Sequence, residues 1–113
     1  MATAKDFRRL ALALEGTTEY PHFDRAAFKV DRTYTTLGPD GKSANFKFTP
    51  DEQALKCTVA ADAFAPIDNA WGRQGWTVGT LKALSVPELK AALAMAYAHA
   101  RKEKKPRRQK SKP

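Results

Sequence analysis

The chain has 113 residues, a formal net charge of +8 at pH 7 and 42% hydrophobic residues, a size and composition typical of one globular domain with one core. The single cysteine, Cys57, excludes an intrachain disulfide and a thiolate metal cluster, which fits a reducing compartment. No apolar run approaches the ~20 residues of a membrane span, and the LALAL run after Arg9 is too short for a signal peptide, so we expect a cytoplasmic protein without membrane contact.

The first predicted element is a helix that begins after Thr3, because Thr3 and Asp6 have the spacing of a capping box. Its apolar residues share one face at positions i, i+3, i+4 and i+7: Phe7, Leu10, Ala11 and Leu14. Gly16 is predicted to end the helix in a left-handed conformation. Residues 17–25, which include Pro21, are predicted to be a connector.

A meander of three strands is predicted next. Residues 26–30 and 44–48 alternate apolar with polar side chains, and residues 33–37 are rich in β-branched and aromatic residues. The Gly-Pro-Asp-Gly sequence at residues 38–41 is a strong turn signal between the last two strands. We expect each outer strand to bury one face and to expose the other.

A second helix is predicted from Thr49, which caps it together with Glu52, to about residue 61. Leu55 and Val59, four positions apart, are predicted to form its inner face. Residues 64–69 are ambiguous and could hold a short strand interrupted by a proline.

Residues 75–81 are predicted to form a further strand, followed by a third helix that starts at a capping box of Ser85 and Glu88. The apolar stripe of this helix contains Leu89, Leu93, Ala96, Tyr97 and Ala100. The complete order, α-β-β-β-α-(β)-β-α, predicts an α+β fold in which the terminal helices cover one face of an antiparallel β-sheet.

The positive charge is concentrated after the last helix. Residues 101–113 carry eight basic residues and one acid, whereas residues 1–100 hold twelve Lys and Arg against eleven Asp and Glu. A segment so rich in charge cannot join a hydrophobic core. We therefore predict a single domain over residues 1–100 and a basic, disordered tail over residues 101–113.

Three segments resemble motifs of the MmcQ/YjbR family, a group of small bacterial proteins. PHFDRAAFKV at residues 21–30 resembles its PHFGRPSFRV-type segment, residues 43–52 resemble its lysine-bearing strand and following helix start, and WGRQGWT at residues 71–77 is similar to its W-G-x-x-G-W-T signature. The resemblance covers about residues 5–98. It implies a frataxin-like fold, an antiparallel sheet backed by two helices, and DNA binding through a double-wing arrangement of sheet and hairpins.

Two groups of cations are candidates for nucleic-acid contact. Those of the tail would attract phosphates without regard to sequence, and five contacts with a duplex would give a slope of log K against log salt of about −4.5: Lys102, Lys104, Lys105, Arg107 and Arg108. Those of the body lie on or near predicted strands and could form a positive strip: Arg25, Lys29, Arg32, Lys47 and Arg73. The alternatives are a solvated tail that aids solubility and an ordinary polar sheet face. Asp24, where the family pattern has glycine, places an acid beside Arg25.

Trp71 and Trp76 flank a turn in which Gly72 and Gly75 supply backbone freedom. Their rings could stack on bases beside Arg73, whereas the structural interpretation is that both anchor the loop over the core. A further alternative is a protein-interaction module in which residues 71–76 dock a partner.

The sequence contains no nucleophile and base arranged for catalysis, so we predict no enzymatic activity, no cofactor and no small-molecule substrate. Cys57 is interpreted as an inert thiol, and His22 and His99 as structural residues. A frataxin-like metal-binding role is a weaker alternative, since the first helix offers only Asp6 and Glu15 as hard ligands. The sequence as a whole predicts a monomeric, non-enzymatic protein that binds DNA weakly and without strong sequence preference.

Overall fold

The structure, a computed structural model, describes residues 1–101. Along this part of the chain the elements are α1 (Ala4–Leu12), β1 (Thr18–His22), β2 (Arg25–Lys29), β3 (Thr33–Leu37), β4 (Ser43–Lys47), α2 (Pro50–Val59), β5 (Phe64–Pro66), α3 (Ala70–Arg73), β6 (Trp76–Thr80), a 3₁₀ turn (Leu81–Ala83) and α4 (Val86–Ala100). Within residues 1–101, none of the helices combines the length and the hydrophobicity that a bilayer crossing requires.

The strands form one antiparallel sheet in the order β1-β2-β3-β4-β6-β5, which confirms the predicted α+β class with an antiparallel sheet. The structure corrects the prediction at residues 18–22, which form strand β1 and not a connector. Pro21 is tolerated there because β1 lies at the edge of the sheet and pairs only with β2. Most of this strand is exposed, so it lacks the apolar alternation of a half-buried strand.

The hydrophobic core lies between the sheet and the two terminal helices. Phe7 of α1 meets Phe28 of β2 with ring centroids 5.4 Å apart, and Tyr34 of β3 meets Tyr97 of α4 at 5.6 Å. The predicted stripe of α4 is confirmed, since Leu89 and most of its other members are buried. One face of the sheet is therefore covered, and strands and helices both contribute residues to the core.

The three predicted capping boxes are all present. At the starts of α1, α2 and α4, the hydroxyl of Thr3, Thr49 or Ser85 accepts from the backbone N–H three residues on, and the acidic side chain there accepts from the backbone N–H of the capping residue. Gly16 has φ +82, as expected, but it lies in a turn beyond the end of α1. Helix boundaries with a local chemical cause were thus readable from the sequence.

The predicted inner face of α2 is wrong. Leu55 is 56% exposed and Val59 is 69% exposed, whereas Cys57 and Ala60 pack against the core. In the observed orientation of the helix, the side-chain amide of Gln53 points inward and donates to the backbone carbonyls of Gly72 and Trp76. The spacing of Leu55 and Val59 therefore did not predict the inner face of α2, which is the face that carries this polar contact.

Candidate nucleic-acid interface

The sheet face turned away from α1 and α4 is called the open face here. Because Phe46 points into the core, its neighbours Asn45 and Lys47 lie on the open face. Antiparallel pairing then places one row of residues across it, strand by strand: Tyr20, Ala27, Thr36, Asn45, Val78 and Ala65. Ala27 and Thr36 of this row are buried, Tyr20, Asn45 and Val78 are half-buried, and Ala65 is exposed.

A groove of about 440 Å³ crosses the open face. Its aromatic lining comes from three separate parts of the chain: Tyr20, His22, Phe23, Trp71 and Trp76. Its polar lining contains one cation, one acid, and uncharged side chains: Arg25, Asp24, Thr33, Thr36, Asn45 and Asn69. A concave site with aromatic walls and a few polar groups is the usual form of a ligand-binding site.

Arg25, at the start of β2, is half-buried in this groove. Its Nε donates to the Thr36 hydroxyl at 2.8 Å and its Nη2 to the Thr36 carbonyl at 3.4 Å. It forms no ion pair with any acid within residues 1–101, neighbouring Asp24 included. The guanidinium is therefore oriented by neutral groups and is not held in an ion pair with any acid among the described residues.

Phe23 occupies the tip of the β1–β2 hairpin. Phe23 is 93% exposed to solvent. Its backbone φ of +59 lies in the left-handed region that bulky residues avoid. Its ring contacts the ring of His22 edge-on, with centroids 4.8 Å apart. The strained backbone of Phe23 costs free energy, and its exposed ring contributes little to the stability of the fold. Strained residues of this kind are often found where a protein contacts a ligand.

The segment that carries both tryptophans is held by its backbone. Gln53 donates to the carbonyls of Gly72 and Trp76 at 2.9 and 3.0 Å. A Cβ at Gly72 would lie 1.6 Å from the Ile67 carbonyl oxygen, and one at Gly75 would lie 1.9 Å from the Phe48 carbonyl oxygen. Gly75 also has φ +109, which confirms the predicted need for glycine in this turn.

Trp71 itself does not anchor the loop. It is 60% exposed, while Trp76 on β6 is half-buried, and both line the groove. The anchoring prediction is therefore wrong for Trp71, because Gln53 and close backbone packing already hold the loop. Neither indole N–H has a hydrogen-bond partner among the described residues.

The five predicted cations of the body do not converge on one point. Lys29 and Lys47 share the open face with Arg25, but Lys29 lies over the Tyr20 ring at 5.2 Å and Lys47 donates to the Gln74 carbonyl at 2.9 Å. Arg32 follows β2 and Arg73 ends α3, both exposed and both outside the groove lining. The predicted tail residues lie outside the described residues: Lys102, Lys104, Lys105, Arg107 and Arg108.

The other sequence candidates are occupied by structural contacts. Asp6 accepts from Thr3, whose backbone N–H holds the pKa of the carboxyl below its ordinary value, and His99 pairs with Glu52 at 2.7 Å. Burial raises the pKa of the Cys57 thiol, as expected for an unreactive cysteine. Within residues 1–101, no three His, Cys, Asp or Glu residues are grouped as a metal site would require.

Most residues of the groove carry no recognisable motif in the sequence. Tyr20 and Phe23 were placed in a connector, and Asn45 and Asn69 carried no distinguishing pattern. The signal that was available is the pair of large aromatic residues, Phe23 and Trp71, set in polar segments next to turns. Their convergence depends on strand register, which no local motif specifies.

Comparison with family models finds no family that matches the chain, and comparison with curated proteins finds no match. Solved structures with a similar fold do exist. The Deinococcus radiodurans protein DR2400, which has a DUF419 domain, is 21% identical with a TM-score of 0.71, covering 86% of this chain and 77% of that one. A Pseudomonas syringae structural-genomics target is 17% identical with a TM-score of 0.67, covering 86% and 97%. At these identities the similarity is one of fold, that of a small bacterial α+β domain.

Proposed function

We propose that this protein binds nucleic acid, DNA in the first instance, through the open face of its sheet and without catalysing a reaction. The observation that carries the proposal is the groove in which Arg25, with no acidic partner among residues 1–101, lies among aromatic side chains. Guanidinium groups pair with phosphate oxygens, and aromatic rings stack on bases. Both halves of a nucleotide thus find a complementary group in one site.

The C-terminal segment would supply most of the attraction. Residues 102–113 contain seven Lys and Arg and one acid, beside a domain that is almost neutral. Such a segment releases condensed counterions from phosphates and so gives strong salt dependence but no sequence preference. In this mechanism the segment concentrates the protein on the polyanion, and Arg25, Lys29 and Lys47 orient the open face toward it.

We further propose membership of the MmcQ/YjbR family, with a frataxin-like arrangement of sheet and helices, and a cytoplasmic location. Support for the family comes from the motifs at residues 21–30, 43–52 and 71–77 and from a fold shared with a DUF419-domain protein. Support for the location comes from the single cysteine and the reducing compartment that it fits.

Fluorescence anisotropy tests the proposal with labelled duplex DNA, single-stranded DNA and RNA at a low and a high salt concentration. Full-length protein should bind, and deletion of residues 102–113 should weaken binding and flatten its salt dependence. A salt slope that is unchanged by the deletion would exclude this segment as the main contact. Absence of binding to all three polymers at low salt would refute the proposed function.

A second candidate function is a protein-interaction module centred on residues 71–76, because Trp71 is 60% exposed and tryptophan is a common interface anchor. Arg25 and the excess of basic residues favour the nucleic acid over this alternative. Titration of the groove with an oligonucleotide and with a proline-rich or aromatic peptide separates the two. Saturable binding of the peptide alone would favour the interaction module.

A further inference from the structure

We propose that the groove on the open face binds the unpaired bases of single-stranded nucleic acid, and that the protein consequently prefers single strands to duplex. The inference rests on the proposed function and specifies the ligand of the same site. It goes beyond electrostatic attraction, because charge alone favours the more densely charged duplex. The groove instead offers chemistry that a paired and stacked base cannot use.

Two exposed aromatic rings offer stacking surfaces in the groove. Phe23 and Trp71 are 93% and 60% exposed, so their apolar surfaces face water in the free protein. They come from the β1–β2 hairpin and from α3, two parts of the chain that are distant in sequence and both line the groove. A splayed base presents a π-face to such rings, and stacking tolerates any base. In a duplex the same faces are covered by neighbouring bases.

The groove also contains polar side-chain groups that have no hydrogen-bond partner among the described residues. The side-chain amide of Asn45, on the open face of β4, has no hydrogen-bond partner within residues 1–101, and neither do the indole N–H groups of Trp71 and Trp76. Asn69 uses only its Oδ1, which accepts from the Trp71 and Gly72 backbone N–H groups and leaves its NH₂ free of described partners. These donors and acceptors match the edges that a base exposes when it is unpaired.

The charge and the size of the groove also suit a single strand. Arg25 supplies an oriented cation inside the groove, and a guanidinium pairs with phosphate oxygens. The volume of about 440 Å³ falls within the range of about 300–1,000 Å³ that is usual for small-ligand sites. A single strand can present its unpaired bases to a concave site, whereas the bases of a duplex are already paired and stacked. Phosphates beyond the groove remain available to Lys29 and Lys47.

The test compares three labelled ligands on the full-length protein at one salt concentration: an oligodeoxythymidylate of about 12 nucleotides, which falls in the range of single-strand sites, an abasic deoxyribose-phosphate chain of the same length, and a duplex of the same length. The oligodeoxythymidylate should bind about tenfold or more tighter than the abasic chain, since one stacked base contributes at least about a factor of five. It should also bind more tightly than the duplex and quench the fluorescence of the two tryptophans.

Two groove variants and one control identify the site. Trp71→Ala and Phe23→Ala should each weaken oligodeoxythymidylate binding about tenfold while leaving the abasic chain and the duplex unchanged. Leu55→Ala, which removes an apolar side chain on α2 that is about as exposed as Trp71, should change nothing. Circular dichroism establishes that each variant is folded. Because the two groove variants lie on separate elements, misfolding of one leaves the other as a test.

Equal affinity for the abasic chain and the oligodeoxythymidylate would overturn the inference and leave electrostatic nucleic-acid binding intact. The inference would also be overturned if both groove variants bound the oligonucleotide as the unaltered protein does. Binding of none of the three ligands at low salt would instead remove the proposed function itself.

Discussion

The Nε atom of Arg25 on β2 donates a hydrogen bond to the hydroxyl of Thr36 on β3 at 2.8 Å, so a neutral side chain orients the one cation that residues 1–101 contribute to the groove lining. An acidic partner would have neutralised the guanidinium, and an unsupported side chain would lose entropy on binding. The arrangement therefore presents a positive charge in a defined place beside the aromatic rings. Affinity for phosphate should depend on this residue more than on other surface cations.

Arg25→Gln is expected to weaken nucleic-acid binding at every sequence and to reduce the salt slope for single strands by about 0.7, the contribution of one phosphate contact. Lys5→Gln is the matched control, since it removes one exposed positive charge from α1, on the covered side of the sheet. Anisotropy titrations over a range of salt give both slopes. Equal slopes for the two variants would show that Arg25 has no direct phosphate contact.

Asp24→Asn should act in the opposite direction. The carboxylate lines the groove beside Arg25 and repels phosphate, so its removal is expected to tighten oligonucleotide binding at low salt by a few-fold. The gain should vanish at high salt because the repulsion is screened. An affinity gain that persists at high salt would indicate a conformational rather than an electrostatic effect.

Phe23→Gly is expected to move stability and binding in opposite directions. Left-handed backbone costs a non-glycine residue about 1–2 kcal/mol, of which the larger unfolded-state entropy of glycine offsets about 0.5–1 kcal/mol. The free energy of unfolding should therefore rise by about 0.5 kcal/mol, while single-strand affinity falls. Urea denaturation and anisotropy measure the two quantities. Loss of both stability and affinity would mean that the hairpin tip serves the fold.

Leu55→Ala and Leu89→Ala test the orientation of α2 against that of α4. Leu55 is 56% exposed, so its truncation should change the free energy of unfolding by less than about 0.5 kcal/mol. Leu89 is fully buried, and its truncation should cost about 2–5 kcal/mol. Similar losses at the two positions would mean that α2 presents Leu55 to the core.

The difference between these helices shows what the sequence can predict. In α4 the buried stripe includes two leucines within an alanine-rich helix, so periodicity alone identifies the inner face. In α2 the orientation of the helix follows Gln53 and not the two apolar residues Leu55 and Val59. The hydrogen-bond partners of Gln53, the carbonyls of residues 72 and 76, are distant in sequence. A side chain that serves a long-range polar contact carries no local signature.

The same distinction holds for the site. Capping residues and the strands at residues 26–30 and 44–48 follow from local chemistry, and they were predicted within about two residues. The groove requires β1 at the sheet edge, the tip at Phe23 and the loop at Trp71 to meet. Edge strands are mostly exposed and lack the alternation that reveals buried strands, so β1 was not predicted.

Gly72→Ala should destabilise the loop that carries Trp71. The new Cβ would lie 1.6 Å from the Ile67 carbonyl oxygen, so the backbone must move, at a cost of about 3 kcal/mol or more. Gly16→Ala is the control, because its φ of +82 costs about 1 kcal/mol without a backbone clash. Thermal or urea unfolding compares the two. If both variants lost an equally small free energy of unfolding, residue 67 would have to lie further from residue 72 than in this structure.

Acid should destabilise the fold through three carboxylates. Hydrogen bonds from the Thr3 and Ser85 backbone N–H groups lower the pKa values of Asp6 and Glu88, and the Arg8 side chain lowers that of Glu19. A carboxylate whose pKa is lowered in the folded state contributes its full stabilisation at pH values above its ordinary pKa, which is 4.5 for glutamate. This stabilisation is lost as the pH falls through the lowered pKa of the folded state. Urea unfolding from about pH 7 to about pH 3 measures the decline.

Glu88→Gln and Glu19→Gln provide the check on this cause. Each variant should be less stable than the unaltered protein at neutral pH and should lose less stability on acidification, because one linked carboxylate no longer titrates. The double variant should show the shallowest pH dependence of the set. A decline as steep as that of the unaltered protein would assign the acid sensitivity to other groups.

The two indole N–H resonances report most directly on whether the groove is the binding site. Trp71 and Trp76 are the two tryptophans of the chain, both line the groove, and neither indole N–H has a partner among the described residues. Titration of ¹⁵N-labelled protein with an oligodeoxythymidylate should shift both indole resonances together with backbone amides of the open face. Binding that leaves both indole resonances in place would contradict the account.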